Sequence, residues 1–154
     1  MTGKGSLNHN SRKFHAKNTD PNRTHWNVEY CNEDIKDVYH ELFDDALKRY
    51  NDKQTRKDRK IDDYYEKIRS GKQEKLFHEV ILQIGDKDNM GSETMEGQLA
   101  AKILDEYMKG FQERNPTLRV FAAHLHLDEA TPHLHIDFIP YVTGSKRGLD
   151  TRVS

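Results

Sequence analysis

Cys31 is the only cysteine in the chain, so no disulfide can form within it, and that suits a reducing compartment. No apolar run approaches the roughly 18 residues that a membrane span needs. Met1 to Asn10 shows no signal-peptide pattern, which makes the cytoplasm the expected compartment. Internal repeats are absent, and so is a charge excess of one sign, because the net charge is −1. A 154-residue chain with 34% hydrophobic and 33% charged residues is read as one domain, residues 1–154, with an economical core and a heavily charged surface.

A near-zero net charge hides an uneven distribution. Residues 1–30 carry five Lys/Arg against two Asp/Glu, and residues 48–75 carry eleven against six, whereas Glu33 to Leu47 holds six acids and only Lys36. A basic patch on a near-neutral protein is compatible with phosphate binding, although charge runs are more often plain solvated faces.

Residues 1–24 are polar and turn-rich, and composition alone makes them a flexible arm. His25 to Cys31 alternates, predicting a strand with Trp26, Val28 and Tyr30 on one face. Ile35, Val38, Tyr39, Leu42, Phe43, Ala46, Leu47 and Tyr50 repeat at helical spacing. A second, very charged helix is expected from Thr55 to Arg69, with Ile61, Tyr64, Tyr65 and Ile68 as its apolar stripe. Leu76 to Ile84 reads as a strand. Ser92 or Thr94 can cap a long helix that buries Leu99, Ile103, Leu104, Tyr107, Met108 and Phe111, and Asn115-Pro116 ends it. Gly144 to Ser154 looks like a turn entering something further, so the chain is expected to be truncated from a longer protein.

Most of the chemistry lies between His124 and Asp137. Leu118–His126 and His133–Pro140 are strand-like, separated by a polar connection that ends in Pro132. Successive strand side chains face opposite ways, so His133 and His135 share a face, and antiparallel pairing of the two runs brings His126 beside them. Three imidazoles and a carboxylate form a site for a divalent ion with open positions, fit to polarise an oxygen. His124 faces the same way, as a core residue or one behind the ligands. Asp137 points with His135 and can hold a ligand imidazole by its other nitrogen. Asp128 and Thr131 can simply stabilise the turn, while Glu129 either ligates the ion or takes a proton.

The run His126-Leu127-Asp128-Glu129-Ala130-Thr131-Pro132-His133-Leu134-His135 resembles the third motif, His-x-Asp-Glu-x-x-Pro-His-x-His, of the MobV relaxases, the plasmid mobilisation and recombination (Mob/Pre) family. His9-Asn10-Ser11-Arg12 resembles that family's first motif, His-Asn-x-Arg, and Asp20 to Asn27 its second. The resemblance implies a metal-dependent strand-transferase that nicks one DNA strand at an origin of transfer, stays covalently attached to the 5′ end and later rejoins the strand. It implies Mn²⁺ or Mg²⁺ held by His126, His133 and His135, with Glu129 as base or accessory ligand and Asp128 and Asp137 behind them. His9 is the implied nucleophile, forming a phosphoramidate, and the arm is then expected to fold against the sheet.

Arg12, Arg23, Lys13 and the 48–75 segment are the expected DNA contacts, the partners being single-stranded or hairpin origin DNA and the conjugation machinery. Tyr64 or Tyr65 is the rival nucleophile. A replication-initiator-like DNA-binding protein and another metal-dependent phosphodiesterase are the competing functions. The expected fold is α+β, an antiparallel sheet of about four or five strands with helices packed mainly on one face; the oligomeric state is left open.

Overall fold

The computed structural model describes residues 2, 3, 5–86, 88 and 90–154. In chain order the elements are β1 (Thr2–Gly3), α1 (Leu7–Asn10), β2 (Val28–Asn32), α2 (Ile35–Asp52), α3 (Tyr64–Ser70), β3 (His78–Gln83), α4 (Met95–Lys109), α5 (Phe111–Arg114), β4 (Leu118–His126), β5 (His133–Val142) and β6 (Arg152–Val153). Five strands form an antiparallel sheet in the order β1-β3-β5-β4-β2, and β6 pairs with the far end of β5. The α+β class and the antiparallel sheet are those expected.

Strand alternation sorts β5 into two faces. Leu134, Ile136 and Phe138 point to one, where they pack with Leu104, Met108 and Phe111 of α4 and α5. His133, His135, Asp137 and Ile139 point to the other, and Ile139 joins Phe121, Val38, Tyr39, Phe43, Tyr64 and Ile68 under α2 and α3. The helices are therefore divided between the faces instead of gathering mainly on one. On the second face the helical layer covers only one end of the sheet. The amino-terminal arm covers the other, over the histidines.

Three local expectations change. The 25–31 strand starts later, at Val28, because Asp20 caps and Pro21 opens a 3-10 helix, Pro21–Trp26, that leaves Trp26 exposed. The 55–69 helix is broken into a 3-10 turn, Lys57–Arg59, and the short α3. Asn51 explains the break: its amide donates to Ile61 O at 2.8 Å and its oxygen accepts from Ile61 N at 2.9 Å, so the Ile61 backbone bonds to a side chain instead of a helical neighbour. In α4, capped by Thr94, Gly97, Ala100, Leu104 and Met108 are buried, and Ala101 packs against the cluster on the sheet. Leu99, Ile103 and Tyr107, expected to be buried, lie exposed with Met95 along the neighbouring row at intervals of four. Among the described residues no helix is long and apolar enough to cross a membrane.

Candidate active site

The β4–β5 register sets His126 opposite His133 and His124 opposite His135, so all four rings share one face. One ligand atom each from His126, Glu129 and His135 lies within 4.8 Å of the other two, and all three residues are buried. His133 is beside this group, its Nδ1 3.2 Å from Glu129 Oε2. That same nitrogen is 2.7 Å from the Thr131 carbonyl oxygen, and Nε2 is 3.1 Å from Gln83 Oε1. The Thr131 carbonyl can only accept, so Nδ1 carries the proton.

The arm closes over the rings. Ser6 caps α1, whose four residues include His9 and Asn10. His9 Nε2 lies 3.5 Å from Glu129 Oε1 and 3.2 Å from Arg12 Nη1. A guanidinium has only donors, so this nitrogen of His9 accepts, and the imidazole is the neutral Nδ1–H tautomer with Nε2 on the side of the ring near Glu129. Burial, followed by the Arg12 charge, lowers the His9 pKa and favours that neutral form.

Arg12 was expected to grip a DNA phosphate, and the structure assigns it other partners. Its Nε and Nη2 form a two-point pair with Asp128 at 2.8 and 2.6 Å, Nη2 also reaches Glu129 Oε1 at 2.9 Å, and Nη1 meets His9 Nε2 and donates to His9 O at 2.7 Å. All five N–H groups face protein atoms. Arg23, also expected on DNA, is likewise spent on Asp20, Glu93 and the Glu129 carbonyl. Lys13 is exposed.

These pairings set the charges. Burial would raise the Glu129 carboxyl, but the neighbouring His126 and the hydrogen bond from Arg12 outweigh it and bring the pKa down to about 2. Burial would also raise Asp128, whose contacts with Arg12, Asn27 and Thr24 hold it far below the usual carboxylate range. Asp128 also accepts from Thr24 at 3.0 Å, so it does more than shape the turn: it ties the second motif to the first.

Asp137 was expected to support His135, and Glu79 of β3 is the acid that faces that ring, 3.5 Å from Nδ1. Asp137 lies behind, sharing with Glu79 the side-chain amide of Asn10, at 2.5 Å from Glu79 and 3.4 Å from Asp137. Burial and the neighbouring Glu79 push Asp137 up to about 8, so the buried pair holds one proton between two carboxyls. Sequence reasoning missed Glu79 and the role of Asn10. The signal was an acid inside the apolar strand Val80-Ile81-Leu82, at a position whose alternation faces the histidines. His124 is buried without a hydrogen-bond partner among the described residues, its Nε2 4.0 Å from Glu29 Oε2, and burial, followed by His126 and His135, brings it down to about 4.

Tyr64 and Tyr65 are not brought to the cluster. Tyr64 OH accepts from Val153 N, and Val153 pairs with Tyr141, six residues along β5 from His135, or roughly 20 Å of strand. Tyr65 packs edge-on against Tyr39 with the Lys36 ammonium over its ring.

A cation fits the donor set. His126 Nδ1 and both nitrogens of His135 are buried without a hydrogen-bond partner among the described residues, and buried nitrogens left in that state are costly unless something ligates them. Glu129 adds an ionised oxygen at the same point.

Residues 4–153 match the family model described as plasmid recombination enzyme, Mob_Pre. No curated protein matches the chain. Among solved structures, the MobM relaxase domain (MOBV; Mob_Pre) bound to 22 nucleotides of plasmid pMV158 oriT DNA, with Mn at pH 5.5, is 28% identical with a TM-score of 0.53. A second Mn-bound crystal structure of that complex, at pH 4.6, is 26% identical with a TM-score of 0.49. In both, the alignment covers 90% of this chain and 64% of the other, so the chain spans just under two-thirds of that domain's length.

Proposed function

The chain belongs to the plasmid recombination enzyme (Mob/Pre) family, and from that premise we propose that it is a relaxase that nicks one strand at an origin of transfer through His9. The observation that carries this reading is the unprotonated Nε2 of His9, held by Arg12 at the edge of a buried His126–Glu129–His135 cluster, 3.5 Å from Glu129 Oε1. A phosphate seated over the cluster would meet a neutral nucleophile that needs no prior deprotonation.

The Nε2 lone pair forms a bond to phosphorus as the P–O3′ bond breaks. The electron pair of that bond leaves on O3′, which takes a proton from water. His9, now phosphorylated on the 5′ side, sheds its Nδ1 proton to solvent. Rejoining is the reverse: a 3′-hydroxyl attacks phosphorus and the P–N pair returns to Nε2. His126, His135 and Glu129, with His133 beside them, would hold a divalent cation, Mn²⁺ or Mg²⁺, which when bound stabilises charge on the non-bridging phosphate oxygens. Glu129, ionised down to about 2, serves as ligand or proton acceptor and cannot donate a proton near neutrality. Arg12 holds Nε2 unprotonated, and its Nη1 contact with that nitrogen breaks before the lone pair bonds to phosphorus. These residues form the nicking domain, working in the cytoplasm on single-stranded or hairpin origin DNA and handing the strand to conjugation machinery.

The test is a 3′-labelled pool of random single strands, together with the 22-nucleotide pMV158 oriT strand, incubated with Mn²⁺ and run under denaturing conditions. A labelled protein–DNA adduct that survives alkali and is cleaved by mild acid is the expected result. Loss of the adduct in His9→Ala, with retention in Tyr64→Phe and Tyr65→Phe, assigns the nucleophile. An acid-stable adduct lost in a tyrosine variant overturns the assignment, and turnover with no adduct overturns strand transfer.

A further inference from the structure

Phe14 is 51% exposed, yet its ring is placed beside the reactive histidine: the ring centroids of Phe14 and His9 are 5.8 Å apart, with planes tilted by 44°. An exposed phenylalanine alone is unremarkable. What distinguishes this one is the cost of presenting it. The chain reverses at Arg12 with φ +55, a left-handed conformation that no other described non-glycine residue adopts. The reversal is pinned by Arg12 N donating to His9 O at 3.1 Å and Lys13 N donating to Asn8 O at 2.9 Å, and by the Arg12 guanidinium on Asp128 and Glu129. A strained and fully bonded turn thus carries an apolar ring back toward His9 and leaves it half in water, with the exposed Lys13 next to it.

We propose that Phe14 is the stacking platform for an unpaired base flanking the phosphate that His9 attacks, with the Lys13 ammonium against a neighbouring phosphate. The ligand class is single-stranded DNA. Every base has a π face, so the ring grips without reading sequence, and a base already stacked in a duplex has no free face to offer. This deepens the relaxase reading and rests on it for the position of the base relative to the nick.

The experiment measures binding apart from cleavage. The full chain is titrated, in EDTA, into a thymidine homopolymer carrying one 2-aminopurine, following fluorescence quenching and affinity. Loss of one stacked base is expected to weaken binding about 5- to 150-fold in Phe14→Ala, with the quench lost, while Phe14→Trp restores both. Phe14→Leu keeps apolar bulk without a π face and should behave like Phe14→Ala; full rescue by leucine reduces the ring to packing and overturns the proposal. Unchanged affinity and quench in Phe14→Ala also overturn it, as does loss in Trp26→Ala alone, since Trp26 is the exposed aromatic at the second motif. An unchanged melting temperature excludes misfolding. A chain that shows the Phe14-dependent quench but forms no adduct in Mn²⁺ refutes the relaxase reading and leaves the stacking site standing.

Discussion

The Nε2 of His126 lies 2.7 Å from the backbone carbonyl oxygen of Asn10, the residue that follows His9. A carbonyl can only accept, so Nε2 carries the proton and the unpartnered Nδ1 of His126 faces Glu129 at 3.6 Å. One residue therefore fixes the tautomer of a metal-ligand candidate through its main chain. Through its side chain it holds the Glu79–Asp137 pair behind a second ligand candidate, His135. His9 and the candidate metal group are thereby parts of one bonded unit.

Asn10→Ala keeps the carbonyl and removes the amide, leaving the buried acid pair short of its donor. A loss of about 1–3 kcal/mol of stability is expected by urea unfolding. Adduct formation should fall more than Mn²⁺ affinity measured by calorimetry, because the arm loosens while His126, Glu129 and His135 remain. Gly5→Ala should act in the same direction, since a Cβ at Gly5 would collide with the Glu79 carboxylate over which the arm passes. Equal loss of metal binding and adduct in both variants would show that the arm does not dock separately.

Arg12→Lys is expected to fail nearly as completely as Arg12→Ala. An ammonium cannot reproduce the two-point pair with Asp128 while also reaching Glu129 and His9. Both ion-pair partners are buried, so breaking the pair should cost about 3–5 kcal/mol in thermal or urea unfolding. Adduct yield in the lysine variant within a factor of two or so of wild type would contradict the role assigned to the guanidinium.

Mn²⁺ at a hundredfold excess over its dissociation constant should stabilise the chain by about 2.7 kcal/mol, seen as a rise in melting temperature that EDTA reverses. His135→Ala and Glu129→Gln should abolish the rise. His133→Ala should diminish it less, because both His133 nitrogens already have partners in Thr131 and Gln83, which ligation would have to displace. A larger loss in His133→Ala than in His135→Ala would mean that this ring is the principal ligand.

The period-two pattern from Leu118 to Pro140 was enough to place four histidines on one face, because alternation is local and register follows from a short connection. The third motif likewise delivered Glu129 to the cluster. The pairing of Arg12 was not legible for a different reason: which acids meet a guanidinium depends on what lies across the fold, and Asp128 is 116 residues away. Glu79 was missed because its partner strand is distant in sequence and one acid in an apolar strand states no role. Helix faces were legible for α2, where the apolar stripe is wide, and less so for α4, whose apolar residues occupy two neighbouring rows of which one is buried.

Farther from the site, Arg119 at the start of β4 clamps the acid segment that leads into α2. It pairs at two points with Glu33, at 2.8 and 3.0 Å, and reaches Glu41 at 2.8 Å. Hydrogen bonding by Arg119 lowers the Glu33 pKa. A depressed carboxyl contributes stability above its unfolded value of about 4.3 and loses it as pH falls through the folded value. Glu33 is 45% exposed at its side chain, so screening limits the effect of Glu33→Gln to about 1 kcal/mol or less at neutral pH. In urea unfolding the gap between wild type and this variant should be level above about pH 5, shrink as the solution is acidified past the unfolded pKa of about 4.3, and narrow at high salt. A gap that grows on acidification would mean that Glu33 is protonated more readily in the folded chain, the reverse of what its pairing with Arg119 requires.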